Sequence, residues 1–345
     1  MKTVYVIIPN YNGADKLEAA VESIRAQSFK DWQLLIVDNG STDGSHDILT
    51  RYQQTDERIR TIYRDKNYGY TGGVNPGFRL AIDEGAAYAA PFNNDAIADK
   101  HWLRHLVDFL DAHPKYGIAT CKLLHLGGKT IDSTGDIYTV WGLPYPRGRD
   151  EPAGTQYDHQ TDIFGASGGA SLYRVEMLRR IGVFDQDFFA YYEDIDLSFR
   201  AQLAGWKVSF VPSSVVYHEQ GGTSSRMKNG FTTCQYMRNL PMVLVKDVPG
   251  RLFWRVAPRL ALAYSIFFVK AVVAHRTGWW ALKGLLQGLW LLPKNILKRR
   301  RIQKQRTVTS AYIWSLFLHD LPPNAQKLKR VRAAWWRLTG RRVTP

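Results

Sequence analysis

The chain has 345 residues, 45% of them hydrophobic, which is enough for a large buried core and too apolar for a disordered polymer. Its two cysteines, Cys121 and Cys234, lack metal or redox spacing, so no disulfide framework is indicated and a reducing compartment is expected. The net charge of +15 is lopsided: residues 246–345 hold 21 Lys/Arg against 2 Asp/Glu, and residues 1–245 hold 25 against 29. A slightly acidic body with a basic tail points to an anionic partner for the tail, either a membrane surface or nucleic acid.

Residues 3–9 form an apolar, β-branched run suited to a strand buried on both faces. The run is too short for a signal peptide. Turn residues Pro9-Asn10-Tyr11-Asn12-Gly13 end it, and Leu17, Ala20, Val21 and Ile24 then recur at helical spacing. Trp32 to Val37 reads as a second strand, followed by the loop Asp38–Ser45 and a helix to about Tyr52. Ile59 to Tyr63 reads as a third strand, and Asn67–Asn75 leads into a helix to about Glu84. Ala86 to Phe92 reads as a fourth strand, ending at Asn93-Asn94-Asp95. A helix is expected over His101–Ala112 and a strand over Gly117–Leu124.

Strands alternating with helices predict an α/β fold with a mainly parallel sheet. Ligands of such sheets sit at the carboxyl ends of the strands, so the polar clusters at Asp38, Asn67 and Asp95 should line one crevice. Residues 125–165, with Tyr138, Trp141 and Tyr145, show no period and read as a long active-site loop or a β-excursion. Gly165, Gly168 and Gly169 suit close backbone approach to a ligand, or tight packing. A short helix, Glu176–Ile181, precedes a helix over Glu193–Ala204 that stops at Gly205. Lys207–Val211 and Val215–His218 read as two strands.

The Glu193 helix opens with three carboxylates, Glu193, Asp194 and Asp196, directly after Tyr191 and Tyr192. Free N–H groups and the helix dipole favour ionised carboxylates in a first turn. Such a group can serve as a general base, and an acidic start that only caps its own helix is the alternative.

The ordered set of these stretches resembles glycosyltransferase family 2, inverting enzymes with the GT-A Rossmann-like fold. The set comprises Ile7–Asn12, Val37–Ser45, Asn67 with Gly69 and Gly72, Asn93-Asn94-Asp95, Gly168-Gly169-Ala170, Phe184-Asp185, Glu193–Leu197 with Arg200, Ala204-Gly205 and His218. It covers about residues 3–220 and looks most like rhamnosyl- and galactofuranosyl-type transferases of cell-surface polysaccharides. The resemblance implies a nucleotide-diphosphate sugar donor held by Pro9, Tyr11, Asn12, Asp38, Asn67, Gly72, Asn93 and Asn94. It also implies Mg²⁺ or Mn²⁺ on Asp95 and His218. Asn93 stands where the family's Asp-x-Asp motif has its first acid, which puts the tightness of metal binding in doubt. Asp194 matches the general base, Glu193 and Trp141 are acceptor contacts, and Asp196 with Arg200 forms a structural ion pair.

The tail, residues 241–345, is expected as a basic amphipathic region attached to a catalytic domain over residues 1–240. Residues 251–274 are apolar except for Arg251, Arg255, Arg259 and Lys270. No uncharged run approaches the roughly 18–20 residues of a spanning helix. Further apolar segments over Trp279–Leu292 and Tyr312–Leu318 flank a polybasic cluster, Lys298-Arg299-Arg300-Arg301, and Trp335 and Trp336 lie near the end. Such helices suit peripheral attachment to an anionic membrane surface, here the cytoplasmic face, and a lipid-linked glycan acceptor. A helical bundle packed on the catalytic domain is the alternative. No nucleic-acid module is recognisable, so no nucleic-acid partner is expected. Three competing functions stay open: a polyprenyl-phosphate glycosyltransferase, a non-catalytic glycan-binding protein at the membrane, and a nucleotidyltransferase. The last would need a basic, Gly-rich N-terminal loop that Pro9–Gly13 does not provide.

Overall fold

The β-branched run after Thr3 is buried along its whole length and forms the centre of a ten-stranded sheet. The computed structural model describes residues 3–219, 230–273 and 276–320; Trp335 and Trp336 lie outside the described residues. The first half alternates β1 (Val4–Asn10), α1 (Ala14–Arg25), β2 (Trp32–Asp38), α2 (Ser45–Thr55), β3 (Ile59–Tyr63), α3 (Gly69–Asp83) and β4 (Tyr88–Pro91). Then come β5 (Ala96–Ala98), α4 (Trp102–Ala112) and β6 (Tyr116–His125). An excursion carries β7 (Ile131–Ser133), β8 (Asp136–Tyr138), β9 (Pro144–Pro146) and β10 (Thr161–Asp162), before β11 (Leu172–Arg174) and α5 (Val175–Ile181). The carboxylate helix is α6 (Glu193–Leu203), followed by β12 (Lys207–His218). Helices α7 (Phe231–Asp247), α8 (Gly250–Val273), α9 (Gly278–Lys304) and α10 (Ser310–Ser315) complete the described chain.

The strand order is β10-β12-β6-β11-β4-β1-β2-β3. β1 pairs in parallel with β2 and β4, β2 with β3, and β6 with β12. Only β10 and β11 on this path run the other way, so the expected mainly parallel α/β sheet is present. Leu17, Ala20, Val21 and Ile24 of α1 are buried at the spacing that put them on one face. The two strands expected over Lys207–Val211 and Val215–His218 are one, β12. Its pairing to β6 shifts register between Val211 and Val215, which hides the continuity from a period-two pattern.

The expected boundary after residue 240 falls inside α7. One core cluster runs across it, joining Tyr138, Phe164, Ile195 and Phe199 to Leu240, Val243, Leu252, Val256, Ile313 and Phe317. Beside it, Lys246 of α7 is 1% exposed and forms ion pairs with Asp185 and, at 2.5 Å, with Asp196 of α6. Asp196 also accepts from Arg200 Nε at 3.0 Å and NH2 at 2.8 Å, which is the expected i,i+4 pair. Lys298 of α9 pairs with Asp185 and Asp187 at 2.6 Å, and Arg299 donates to the Val245 and Val248 carbonyls at 2.7 Å. The polybasic cluster is therefore split. Lys298 and Arg299 are tied to the body, while Arg300, Arg301 and Lys304 are exposed. The Tyr312–Leu318 patch also faces inward, with Ile313 and Phe317 buried.

Helices α8 and α9 each bury one face and expose another. Leu252, Val256, Leu260 and Ala263 of α8 pack inward, whereas Trp254 is 78% exposed beside exposed Leu262, Ile266 and Val269. On α9, Trp290 is 78% exposed, with Trp279, Leu286 and Leu289 also outward. Contrary to the reading that charges interrupt it too often, α8 is long and apolar enough to cross a membrane by length and composition. Its best window has a mean hydropathy of 1.6 and is 22% buried.

The Lys246 cluster yields a stability prediction. Lys246→Met leaves Asp196 and Asp185 short of a buried counter-charge and should cost about 3–5 kcal/mol. Denaturant unfolding of the full chain checks this value.

Candidate active site

Parallel strands that end together deliver their last residues to one edge. Asn10 ends β1, Asp38 ends β2, Asn93–Asp95 follow β4, and His218 ends β12. At the β1–β2 end, Asp38 is buried. It accepts from Asn10 Nδ2 at 3.0 Å, Ser41 Oγ at 2.5 Å and Ser41 N at 3.2 Å. Asn94 Nδ2 donates to Asn10 Oδ1 at 2.8 Å. Asn12, at φ +50°, donates its N–H to Ser41 Oγ at 2.9 Å and accepts from Thr42 N at 2.7 Å. Asp38, Asn12 and Asn94 therefore belong to one net centred on Asn10 and Ser41, two residues of the matching stretches that were not among the expected donor contacts. A buried Asn at the end of an apolar strand was the signal for the first.

Pro9 packs beside Asn39 against Gly73 in the first turns of α3. Asn67 Oδ1 accepts from Gly69 N at 2.7 Å and so shapes the entry to α3, while Gly72 is buried against Tyr68. Tyr11 is half-buried in the turn after β1.

The metal-side group is a linear relay. His218 Nε2 lies 3.2 Å from Asp95 Oδ1 and 3.0 Å from Asn93 Nδ2. His218 Nδ1 lies 2.7 Å from Asp132 Oδ2, and Arg149 pairs with Asp132 Oδ1 at 2.8 Å. Burial opposes charge on His218, but hydrogen bonds and charges of Asp132 and Asp95 outweigh it and push the imidazole up to about 9. Without a metal the imidazole therefore carries a proton on both nitrogens, and a divalent ion would have to displace the one on Nε2. With Nδ1–H donated to Asp132, Nε2 would be the ligating nitrogen, oriented by a carboxylate as metal-bound histidines commonly are. Asp95 Oδ1 and His218 Nε2, 3.2 Å apart, are close enough to share one divalent ion. No cluster of three or more acidic, His or Cys ligands occurs among the described residues. Asp132 and Arg149 were not legible in the sequence, because they come from the irregular excursion, with Asp132 86 residues from His218.

Gly168 and Gly169 join this relay to the carboxylates of α6. Asn93 N donates to Gly169 O at 3.0 Å, and a Cβ on Gly169 would stand 2.8 Å from Asn93 Nδ2, so this glycine is needed for the approach. The adjacent Gly168 N donates to Asp194 Oδ2 at 3.0 Å. Tyr70 of α3 donates to Gly168 O at 2.7 Å. Burial, then the charges of neighbours that include Glu193, Asp194 and Asp95, push the Tyr70 hydroxyl well up.

The three acids of α6 differ. Asp196 is buried and consumed by Arg200 and Lys246. Glu193 is 5% exposed, and its Oε2 has no hydrogen-bond partner among the described residues. Burial, then the Asp194 charge, push it well above the usual carboxyl range. Asp194 is half-buried. Burial raises it, and N–H bonds from Gly168 and Ile195 draw it part of the way back. Trp141 packs at the β8–β9 turn against the core cluster that Ile195 of α6 shares with α8 and α10.

The turn before α6 is strained. Phe189 (φ +63°, ψ −62°), Tyr191 (φ +70°) and Tyr192 (φ +70°, ψ 4°) are all left-handed, and none is glycine. Each such residue costs on the order of 1–3 kcal/mol unless its surroundings hold it.

Residues 5–182 match the family model described as Glycosyl transferase family 2. A Bacillus subtilis protein named as a candidate teichuronic acid biosynthesis glycosyltransferase, TuaG, is 36% identical over 107 residues, covering 31% of this chain and 41% of that protein. The chain thus spans about two fifths of that relative's length. The N-acetylglucosaminyl-diphospho-decaprenol L-rhamnosyltransferase of Mycobacterium tuberculosis is 26% identical over 244 residues, covering 64% of this chain and 77% of that protein. Among solved structures, S. aureus TarS 1–349 in complex with UDP-GlcNAc matches with a TM-score of 0.56 at 15% identity, covering 94% of this chain and 95% of that one. The mannosyltransferase PcManGT from Pyrobaculum calidifontis, in complex with GDP-Man and Mn2+, matches at 0.52 and 16% identity, covering 83% and 87%. At these identities the structural likeness is one of fold.

The relay predicts a metal phenotype. Asp132→Asn should weaken Mn²⁺ binding about 10–100-fold by releasing His218 from its orientation. Calorimetric titration of Mn²⁺ in the presence of a nucleoside diphosphate measures the change.

Proposed function

The chain belongs to glycosyltransferase family 2, and from that membership we propose that it transfers a sugar from a nucleotide-diphosphate donor to a saccharide acceptor with inversion. The observation that carries this reading is the Gly168–Gly169 segment, which has Asp194 on one side and the Asn93–Asp95 loop on the other. Asp194 takes the proton of an acceptor hydroxyl as that oxygen attacks the anomeric carbon. The carbon–oxygen bond to the diphosphate breaks on the opposite face, and the nucleoside diphosphate leaves. One in-line displacement of this kind inverts the configuration. Asp95 and His218 would hold Mg²⁺ or Mn²⁺, which would supply positive charge to the diphosphate. Glu193, next to Asp194, hydrogen-bonds acceptor oxygens, and the Asn10–Asp38–Ser41 net shapes the nucleoside end.

The mycobacterial relative's name supports a lipid-linked acceptor and a rhamnose donor, and with TuaG it supports a role in cell-envelope polysaccharide synthesis. The outward apolar faces of α8 and α9, with exposed Arg255, Arg259, Arg300 and Arg301, support peripheral docking on the cytoplasmic membrane face. The inward face of α8 packs on the body, which favours lying on the bilayer over crossing it.

A panel of nucleotide sugars with Mg²⁺ or Mn²⁺, scored for nucleoside diphosphate release and product, tests the reaction. Asp194→Asn should keep donor affinity and lose about 10²–10⁴-fold in transfer rate. Near wild-type transfer by this variant would remove Asp194 as the base. The base acts deprotonated and its folded value is raised, so the wild-type rate should fall with pH through a midpoint above the ordinary Asp value of about 3.9. That acid limb should vanish in Asp194→Asn. Flotation with anionic liposomes tests docking: Trp254→Ser combined with Trp290→Ser should lower the bound fraction, and unchanged flotation would rule out this face.

A further inference from the structure

Asn239 lies in α7, beyond the residues matched by the family model, and is fully buried. Its Nδ2 donates toward three carbonyls, those of Phe188 at 3.0 Å, Ala190 at 2.8 Å and Tyr191 at 2.8 Å. Its Oδ1 accepts from Arg238 Nε at 2.8 Å, and Arg238 NH2 also donates to the Phe188 carbonyl. An amide nitrogen has two hydrogens, so all its donor capacity goes to this one loop.

The loop is the left-handed stretch that leads into α6. Ala190 N closes on the Phe188 carbonyl at 2.7 Å, making a γ-turn about Phe189 of the rare positive-φ kind. From the opposite side, Thr71 N donates to the Phe189 carbonyl at 3.1 Å. Gly69 of α3, at φ +74°, fits against Phe189 where a Cβ would collide. Tyr192 then caps α6, its carbonyl accepting from Asp196 N at 3.0 Å, with Asp194 in between. A chain free to relax would leave these dihedrals, and relaxation there rotates the first turn of α6.

We propose that Asn239 is a positioning residue for the Asp194 carboxylate, its amide holding the Phe189–Tyr192 turn in the one conformation that aims Asp194 at Gly168 N–H and into the crevice. The proposal rests on the reading of Asp194 as the base. Asn239 differs in kind from the residues that touch donor or acceptor, since it acts only through the loop backbone.

The experiment compares Asn239→Ala, Asn239→Ser and Asn239→Asp in the full chain. Aspartate is isosteric, but it presents acceptors to carbonyls that need donors. Hydrogen exchange should accelerate at least about tenfold across residues 188–195 while the sheet strands keep their protection, which also shows that each variant folds. The transfer kcat should drop about 10²-fold, as expected for a misplaced catalytic group, with the donor KM nearly unchanged. In an Asp194→Asn background the same substitutions should cost nothing further, because no base remains to be positioned. Unchanged exchange at 188–195, or losses that add in the double variant, would overturn the proposal. A wild-type chain that transfers no sugar would instead overturn the assignment of the base, leaving the exchange result to decide whether Asn239 holds the loop.

Discussion

The buried cluster of Asp196, Arg200, Lys246 and Asp185 is the constraint on which the site depends. It lies at the start of α6, on the side away from the crevice, and no member can be removed without stranding a buried charge. Arg200 donates to the carbonyls of Ile181 at 2.8 Å, Gly182 at 3.2 Å and Val183 at 2.9 Å, so the cluster also fixes the segment after α5. Asp247 sits next to Lys246 with neither carboxyl oxygen hydrogen-bonded among the described residues. Burial and then the Asp196 charge push it well above the usual carboxyl range. The acids of this seam thus differ according to which of them a cation reaches.

That seam explains why the first turn of α6 assigns three roles to three adjacent acids. Asp196 points back into the cations, Glu193 is enclosed without one, and Asp194 is left half-open with two N–H donors. Position along the helix alone singles out Asp196, four residues before Arg200, but does not separate Glu193 from Asp194. The same seam makes the C-terminal helices part of the catalytic body, because the cations on α7 and α9 are counter-charges for acids of the α5–α6 region.

Much of the fold was legible because it rests on local periodicity. Buried β-branched runs gave β1 and β2, and the i, i+3, i+4 spacing gave α1 and α4. The strand-end rule brought Asp38 and Asp95 to one edge, and the family resemblance added His218. The Asp196–Arg200 pair followed from helix spacing alone. What was not legible depends on long separations in sequence. Asp132 meets His218 from an excursion with no period, Lys246 meets Asp196 from a later helix, and Asn239 reads in sequence as an ordinary polar helix residue. The basic tail misled for a related reason. A run such as Lys298–Arg301 gives charge but not direction, and two of its four side chains turn inward. Trp141 was read as part of a long active-site loop or β-excursion, and that excursion packs on α8.

The reversed direction of β11 has a further consequence. Because β11 runs against β4 and β6, the chain leaves β6 at the crevice edge and re-enters the sheet at that same edge, through Gly168 and Gly169. The intervening residues 126–171 therefore form a closed detour with both ends anchored beside the reacting groups. Closing a longer detour costs only about 0.6 kcal/mol per doubling of length. Apart from Asp132 and Arg149, which hold His218, such a segment can be rewritten over evolutionary time, in length and in the surface it shows to an incoming molecule, while β1, β2 and β4 keep their spacing. Diversification of what is recognised is thereby separated, by topology, from the strand ends that carry Asp38 and Asp95.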